Sequence, residues 1–212
     1  MMEMQEYGDA SSCIVLIQMA DDHDLAGIQR EMAAIRENTK ADFLLRVFRV
    51  NRWNEDLSPW NAPAVFGHED FGAGAEDTLK EILKTCEDCS RTYIIGGYSL
   101  AGLFALWSVY QTDVFEGAAA ASPSVWFPGF IDYMKKHEIR TERVYLSLGD
   151  KEAKTRNPVM SAVADRIQEA EGLIRCQNRR CTLEWNPGNH FKEPEQRMAK
   201  GFSWILRQLL QS

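Results

Sequence analysis

Thr92-Tyr93-Ile94-Ile95-Gly96-Gly97-Tyr98-Ser99-Leu100-Ala101-Gly102-Leu103-Phe104-Ala105-Leu106-Trp107 decides how the rest of this chain is read. A β-branched and aromatic run reaches a glycine pair, turns at Ser99, and continues as an apolar segment of strong helix formers. The pattern predicts a strand, a tight turn and a buried helix. A serine on such a turn sits at the carboxyl end of a strand and the amino end of a helix. Its hydroxyl projects into a cleft, and backbone N–H groups face any negative charge that develops there. Gly97 and the small Ala101-Gly102 pair let strand and helix approach closely enough for the bend. The alternative is an ordinary strand-to-helix loop with the serine as a cap, so the surrounding chain has to decide.

Working outward, six apolar runs alternate with helical patterns. Strands are predicted at Cys13 to Met19, Phe43 to Val50, Thr92 to Tyr98, Phe115 to Ala121, Val144 to Leu148 and Cys181 to Trp185. Helical spacing covers Leu25 to about Asn38, Glu76 to Glu87, Leu100 to Tyr110, about Gly129 to His137, Asn157 to Leu173, and the C-terminal segment that carries Met198, Phe202, Ile205, Leu206 and Leu209. Alternation of this kind calls for an α/β fold, a three-layer α/β/α sandwich on a mostly parallel, roughly six-stranded sheet. Ligands of such sheets bind at the carboxyl ends of the strands. A long irregular stretch, residues 51–74, holds Trp53, Trp60, Phe66 and Phe71 among prolines and glycines and reads as a wall of the binding cleft. His68 lies in it, isolated, and reads as structural.

Three strand ends carry chemistry: Ser99, then Asp150 or Glu152 in Gly149-Asp150-Lys151-Glu152, then His190 in Asn186-Pro187-Gly188-Asn189-His190. Serine, acid and histidine therefore fall in that chain order on one edge of the sheet, where a hydrolytic triad can assemble. Glu152 is the preferred acid because it has the longer reach, with Asp150, next to the glycine, as the alternative. The oxyanion donors are expected at the N–H of Leu100 and in the loop after the first strand, at Ala20 or Asp21. The aromatic walls are assigned to Trp53, Trp60, Trp126 and Tyr98.

The 212 residues are expected to form a single domain, residues 1–212, with 45% hydrophobic and 26% charged residues. A net charge of −7 argues against nucleic acid or an anionic membrane as partner. With no signal-like start and no membrane-spanning run, the expected location is cytoplasmic. Cys13, Cys86, Cys89, Cys176 and Cys181 read as scattered reduced thiols, neither a disulfide framework nor a zinc site. Asp21-Asp22-His23-Asp24 reads as a helix start more than as a metal site. No metal and no organic cofactor is called for.

Gly97-Tyr98-Ser99-Leu100-Ala101-Gly102, Ala121-Ser122-Pro123-Ser124-Val125-Trp126, Gly149-Asp150-Lys151-Glu152 and Gly188-Asn189-His190-Phe191 together resemble the α/β-hydrolase superfamily. Within it, the chain is similar to the esterase group that includes esterase D, feruloyl esterases and siderophore esterases. The resemblance runs from about Cys13 to the C terminus. It implies Ser99 as nucleophile, Glu152 as acid, His190 as base and Trp126 as a pocket wall. The chain departs from that group in beginning at the usual third strand, so that a minimal sheet without the antiparallel start is expected, and the short segment between Trp126 and the next helix leaves no room for a cap domain. The implied reaction is cleavage of a small-molecule carboxylic ester through an acyl-enzyme, with acyl transfer, peptidase activity or non-catalytic binding on the same fold as alternatives.

Overall fold

A computed structural model describes residues 2–211. In chain order the elements are β1 (Glu3–Gly8), β2 (Ile14–Ala20), α1 (Asp22–Leu25), α2 (Ile28–Thr39), β3 (Leu44–Arg49), α3 (Trp53–Asp56), α4 (Ala75–Leu83), β4 (Thr92–Tyr98) and α5 (Leu100–Gln111). Then follow β5 (Phe115–Ala121), α6 (Phe130–Lys136), β6 (Arg143–Gly149), α7 (Pro158–Ser161), α8 (Val163–Cys176), β7 (Arg180–Asn186) and α9 (Pro194–Leu210). Among the described residues seven strands form one sheet, in the order β1-β3-β2-β4-β5-β6-β7. All neighbours are parallel except β1 and β3.

Side-chain alternation along the strands divides the core into two layers. Val15, Ile17 and Met19 of β2 face one way, onto a layer built from α4, α5, α6 and α8. Leu16 and Ala20 face the other way, onto α2 and α9. The helix behind Ser99 is buried all round, from Leu100 to Tyr110, which explains why its sequence shows no polar stripe.

The antiparallel start is present, contrary to expectation. β1 pairs with β3 from Glu3 opposite Arg49 to Gly8 opposite Leu44. Its sequence, Glu-Met-Gln-Glu-Tyr-Gly, carries no apolar run because an edge strand is solvated along most of its length. Cross-strand charge pairs mark it instead: Arg46 meets Glu6 at 2.8 Å and Arg49 meets Glu3 at 3.2 Å. Two expected helices are also interrupted. The first stops after Leu25 and restarts at Ile28, and the helix expected from Asn157 begins as the single turn α7 before α8 takes over. The 51–74 stretch is less irregular than its composition suggests, with α3 and an antiparallel bridge between Ala62 and Phe71.

The five cysteines are free thiols, with Cys86 and Cys181 buried. Burial pushes the Cys86 thiol up to about 11, the reverse of what a redox nucleophile needs. Asp21 and Asp24 form a reciprocal capping box at the start of α1, so the acidic cluster does serve a helix start.

Candidate active site

Ser99 adopts φ 58° and ψ −120° between β4 and α5. This is left-handed backbone that a non-glycine residue takes up only where its surroundings impose it. The imposition comes from packing. A Cβ on Gly97 would lie 2.3 Å from the backbone carbon and oxygen of Ala101, and one on Gly102 would lie 2.9 Å from the Gly97 carbonyl oxygen. Helix and strand are thus in backbone contact at the turn, and both glycines are obligatory. Ala101 takes the remaining small position.

Ser99, His190 and Glu152 are joined by hydrogen bonds. Ser99 Oγ lies 3.0 Å from His190 Nε2, and His190 Nδ1 lies 2.7 Å from Glu152 Oε2. An ionised carboxylate only accepts, so Nδ1 carries the proton and Nε2 is left to accept from the serine hydroxyl. Glu152 comes from the turn after β6, His190 from the loop after β7.

Glu152 is held on every side. Its Oε1 accepts from the Ser122 hydroxyl at 2.7 Å, the Gly149 N–H at 2.6 Å and Arg197 Nη1 at 2.7 Å. Burial raises its pKa, but the hydrogen bond and charge of His190, the Ser122 hydroxyl and the Gly149 N–H outweigh that, and the carboxyl titrates below its ordinary value. It is ionised at neutral pH. Asp150, the alternative acid, does something else: its Oδ1 accepts from the Gly188 N–H at 2.7 Å, tying the acid turn to the histidine loop.

Arg197 and Ser122 were not legible as site residues. Arg197 projects from α9 and is 2% exposed. Besides Glu152 it donates to Ser122 Oγ at 3.0 Å, Tyr98 OH at 3.1 Å and the Asn189 carbonyl at 2.8 Å. In sequence it is an arginine in a surface-type helix, and the one signal is its place on the apolar face between Pro194 and Met198. Ser122, with φ 44°, opens the Ser-Pro-Ser-x-Trp stretch. In the same stretch the Ser124 N–H donates to the Ser99 carbonyl at 3.0 Å. That motif therefore braces the nucleophile turn and the acid from one strand end.

The aromatic residues divide. Trp53, Phe66, Trp126 and Phe191 line a cavity of about 570 Å³ that reaches Ser99 and His190. Trp60 does not line it. Its ring packs on Phe127, Phe130 and Tyr133, and its Nε1 donates to the Pro128 carbonyl at 2.9 Å, so it pins the 51–74 segment to the α6 side of the core. Tyr98 borders a smaller pocket at Ser99, but its hydroxyl donates to the His190 carbonyl at 2.7 Å. Burial pushes that phenol up to about 12, keeping it a donor. Of the two expected oxyanion positions after β2, Asp21 borders the cleft beside Ser99. Ala20 is fully buried within β2, its carbonyl accepting from Val50. Leu100, first residue of α5, has an N–H with no helical carbonyl to meet.

The sheet order, the serine turn and the three strand-end loops are those of the α/β-hydrolase fold. Solved structures with this fold include a siderophore hydrolase, EstA, from Aspergillus nidulans, at TM-score 0.67 and 18% identity, covering 95% of this chain and 85% of that one. An IroE-like serine hydrolase from Shewanella oneidensis matches at TM-score 0.73 and 13% identity, over 99% of this chain and 76% of that one. The enterobactin esterase FES from Shigella flexneri matches at TM-score 0.67 and 11% identity, over 97% of this chain and 55% of that one. The chain thus spans about half of that protein. No protein-family model matches the sequence, and no curated protein matches it. Among the described residues no helix is long and apolar enough to cross a membrane.

Proposed function

We propose that this chain is a serine hydrolase of carboxylic esters. Ser99 Oγ attacks the ester carbonyl while His190 Nε2 takes its proton, and the imidazolium is stabilised by Glu152. Leu100 N–H receives the tetrahedral oxygen, joined by the Asp21 N–H when that group gives up its long, 3.5 Å bond to Asp24 Oδ2. His190 then returns the proton to the leaving alkoxide, and water repeats the cycle on the acyl-enzyme. The observation that carries this reading is the unbroken hydrogen-bonded chain from Ser99 through His190 to an ionised Glu152. The similarity in fold to siderophore esterases and to a ferulic acid esterase supports it. The aromatic cavity suits an aryl or other apolar group on one side of the ester, and the short segment between β5 and α6 leaves the cleft open.

Labelling with a fluorophosphonate probe, followed by peptide mapping, tests it. Modification is expected at Ser99, absent in Ser99→Ala and sharply reduced in His190→Ala. A folded protein that takes no label overturns the reading.

A further inference from the structure

A second cavity, of about 290 Å³, shares Tyr98, Phe191 and Pro194 with the pocket at Ser99. Gln18 of β2 and Glu31 of α2 line it, in the layer where their strand and helix neighbours Leu16, Ala20, Ile28 and Met32 are apolar core. Both polar side chains are buried, at 3% and 2% exposure. Gln18 Nε2 donates to Glu31 Oε2 at 3.3 Å, which leaves Gln18 Oε1 and Glu31 Oε1 buried without a hydrogen-bond partner. With Glu31 ionised the two orphaned atoms are both acceptors, so what is missing is a donor.

The charge around them has one sign in excess. Asp24, Glu193 and Glu195 line the same cavity, against His23 and Arg30. The Arg30 guanidinium is mostly exposed and already bonded to Glu195 at 3.0 Å. Burial, before any neighbouring charge, raises Glu31 to about 8 and Asp24 to about 6, as expected of carboxylates that lack a cation. A hydrophobic pair at 18 and 31 would complete the core without this cost. The chain instead sets an amide and a carboxylate facing each other in a cavity whose Tyr98, Phe191 and Pro194 also border the pocket at Ser99.

We propose that this cavity is an ammonium subsite, which holds a primary amine carried on one side of the ester by N–H donation to Glu31 Oε1 and Gln18 Oε1. The aromatic cavity takes the other side, with Phe191 bordering both. The substrate class is then an ester that joins an apolar or aryl part to an amine-bearing part, a specification that rests on the esterase reading. Entry of the ammonium ion requires Glu31 to ionise, so one proton passes from its carboxyl to solvent.

The test compares kcat/KM for benzoate esters of linear amino alcohols, of about three to six carbons, with alkyl benzoates of the same length, at about pH 8, where Glu31 can ionise and an alkylamine keeps its proton. At one length the ammonium ester is expected to be preferred roughly tenfold to a hundredfold, the range for a hydrogen bond to a charged group. The ratio should fall toward one in Glu31→Gln and also in Asp24→Asn, whose amide oxygen can still accept from the Asp21 N–H. Equal rates at every length, or a preference that survives both substitutions, overturns the subsite. If neither series is cleaved, the esterase reading fails and the subsite is judged by binding alone. Calorimetry of 5-aminopentan-1-ol on Ser99→Ala protein should then give saturable binding with proton release, weakened when Glu31→Gln is added. No binding at millimolar amino alcohol overturns it.

Discussion

Arg197 places Nη1 2.7 Å from Oε1 of Glu152, the carboxylate oxygen that His190 leaves free. The two side chains are 2% and 4% exposed, a buried ion pair completed by Ser122, Gly149 and Tyr98. Removing one partner strands the other. Arg197→Met is expected to destabilise the protein by about 3–5 kcal/mol, the usual cost of an uncompensated buried charge, and Arg197→Lys by less. Because the folded Glu152 pKa is depressed, its contribution is present above the unfolded carboxyl value and is lost as pH falls through the folded one. Urea unfolding between neutral and acid pH checks both: the gap between wild type and Arg197→Met should narrow toward acid.

Glu152→Gln tests the acid in the reaction itself. A glutamine puts an NH2 group where four donors converge on a carboxylate, so it cannot satisfy both Ser122 and His190. The imidazole loses its fixed tautomer. By analogy with such replacements elsewhere, kcat on an activated ester should fall on the order of 10⁴-fold. A steady-state comparison with the wild type at pH 7–8 settles whether Glu152 or Asp150 is the acid, since Asp150→Asn should fall far less.

Gly97→Ala tests the turn. Its Cβ would sit 2.3 Å from the Ala101 backbone, which cannot yield without lifting α5 off β4. A loss of about 3 kcal/mol or more is expected, measurable as a lower midpoint in denaturant. Probe labelling of Ser99 should be lost along with it.

Glu31→Gln should raise stability, in the opposite sense to Arg197. The folded Glu31 pKa lies at about 8, above its unfolded value, so folding holds a proton that the unfolded chain releases. Stability therefore declines as pH rises from about 4.5 to about 8. Glutamine has no such penalty. The variant should gain at least about 1 kcal/mol over wild type at pH 8 and nothing at pH 4, read from thermal or urea unfolding at the two values.

Much of this was legible because the relevant signals are local. The strand–turn–helix around Ser99 and the apolar strands flanking it follow from patterning over a few residues. Glu152 and His190 follow from lying just beyond such strands. Other features depend on partners that only the fold brings together. β1 is polar because it is an edge, and it reads as coil until Arg46 and Arg49 are seen opposite it. Arg197 looks like an ordinary helix arginine until α9 is laid across β4 and β5. Trp53 and Trp60 are only seven positions apart in an aromatic loop, and nothing in their spacing tells that one borders the cleft and the other, half-buried, packs on Tyr133. Gln18 hides in an apolar run because a single amide barely disturbs its pattern.

The placement of Arg197 on α9 also has a consequence in time. A ribosome making this chain from its amino end has produced Ser99, Glu152 and His190 before α9 exists, and α1 to α8 and five parallel pairings among the described residues can form around them. Glu152, in the turn after β6, would then lack the Arg197 guanidinium, and the His190 loop would lack its tether from Arg197 to Asn189. On the proposed hydrolase reading, the acid and the histidine loop gain their last partners only when a helix that supplies none of the three side chains docks, which ties activity to closure of the fold.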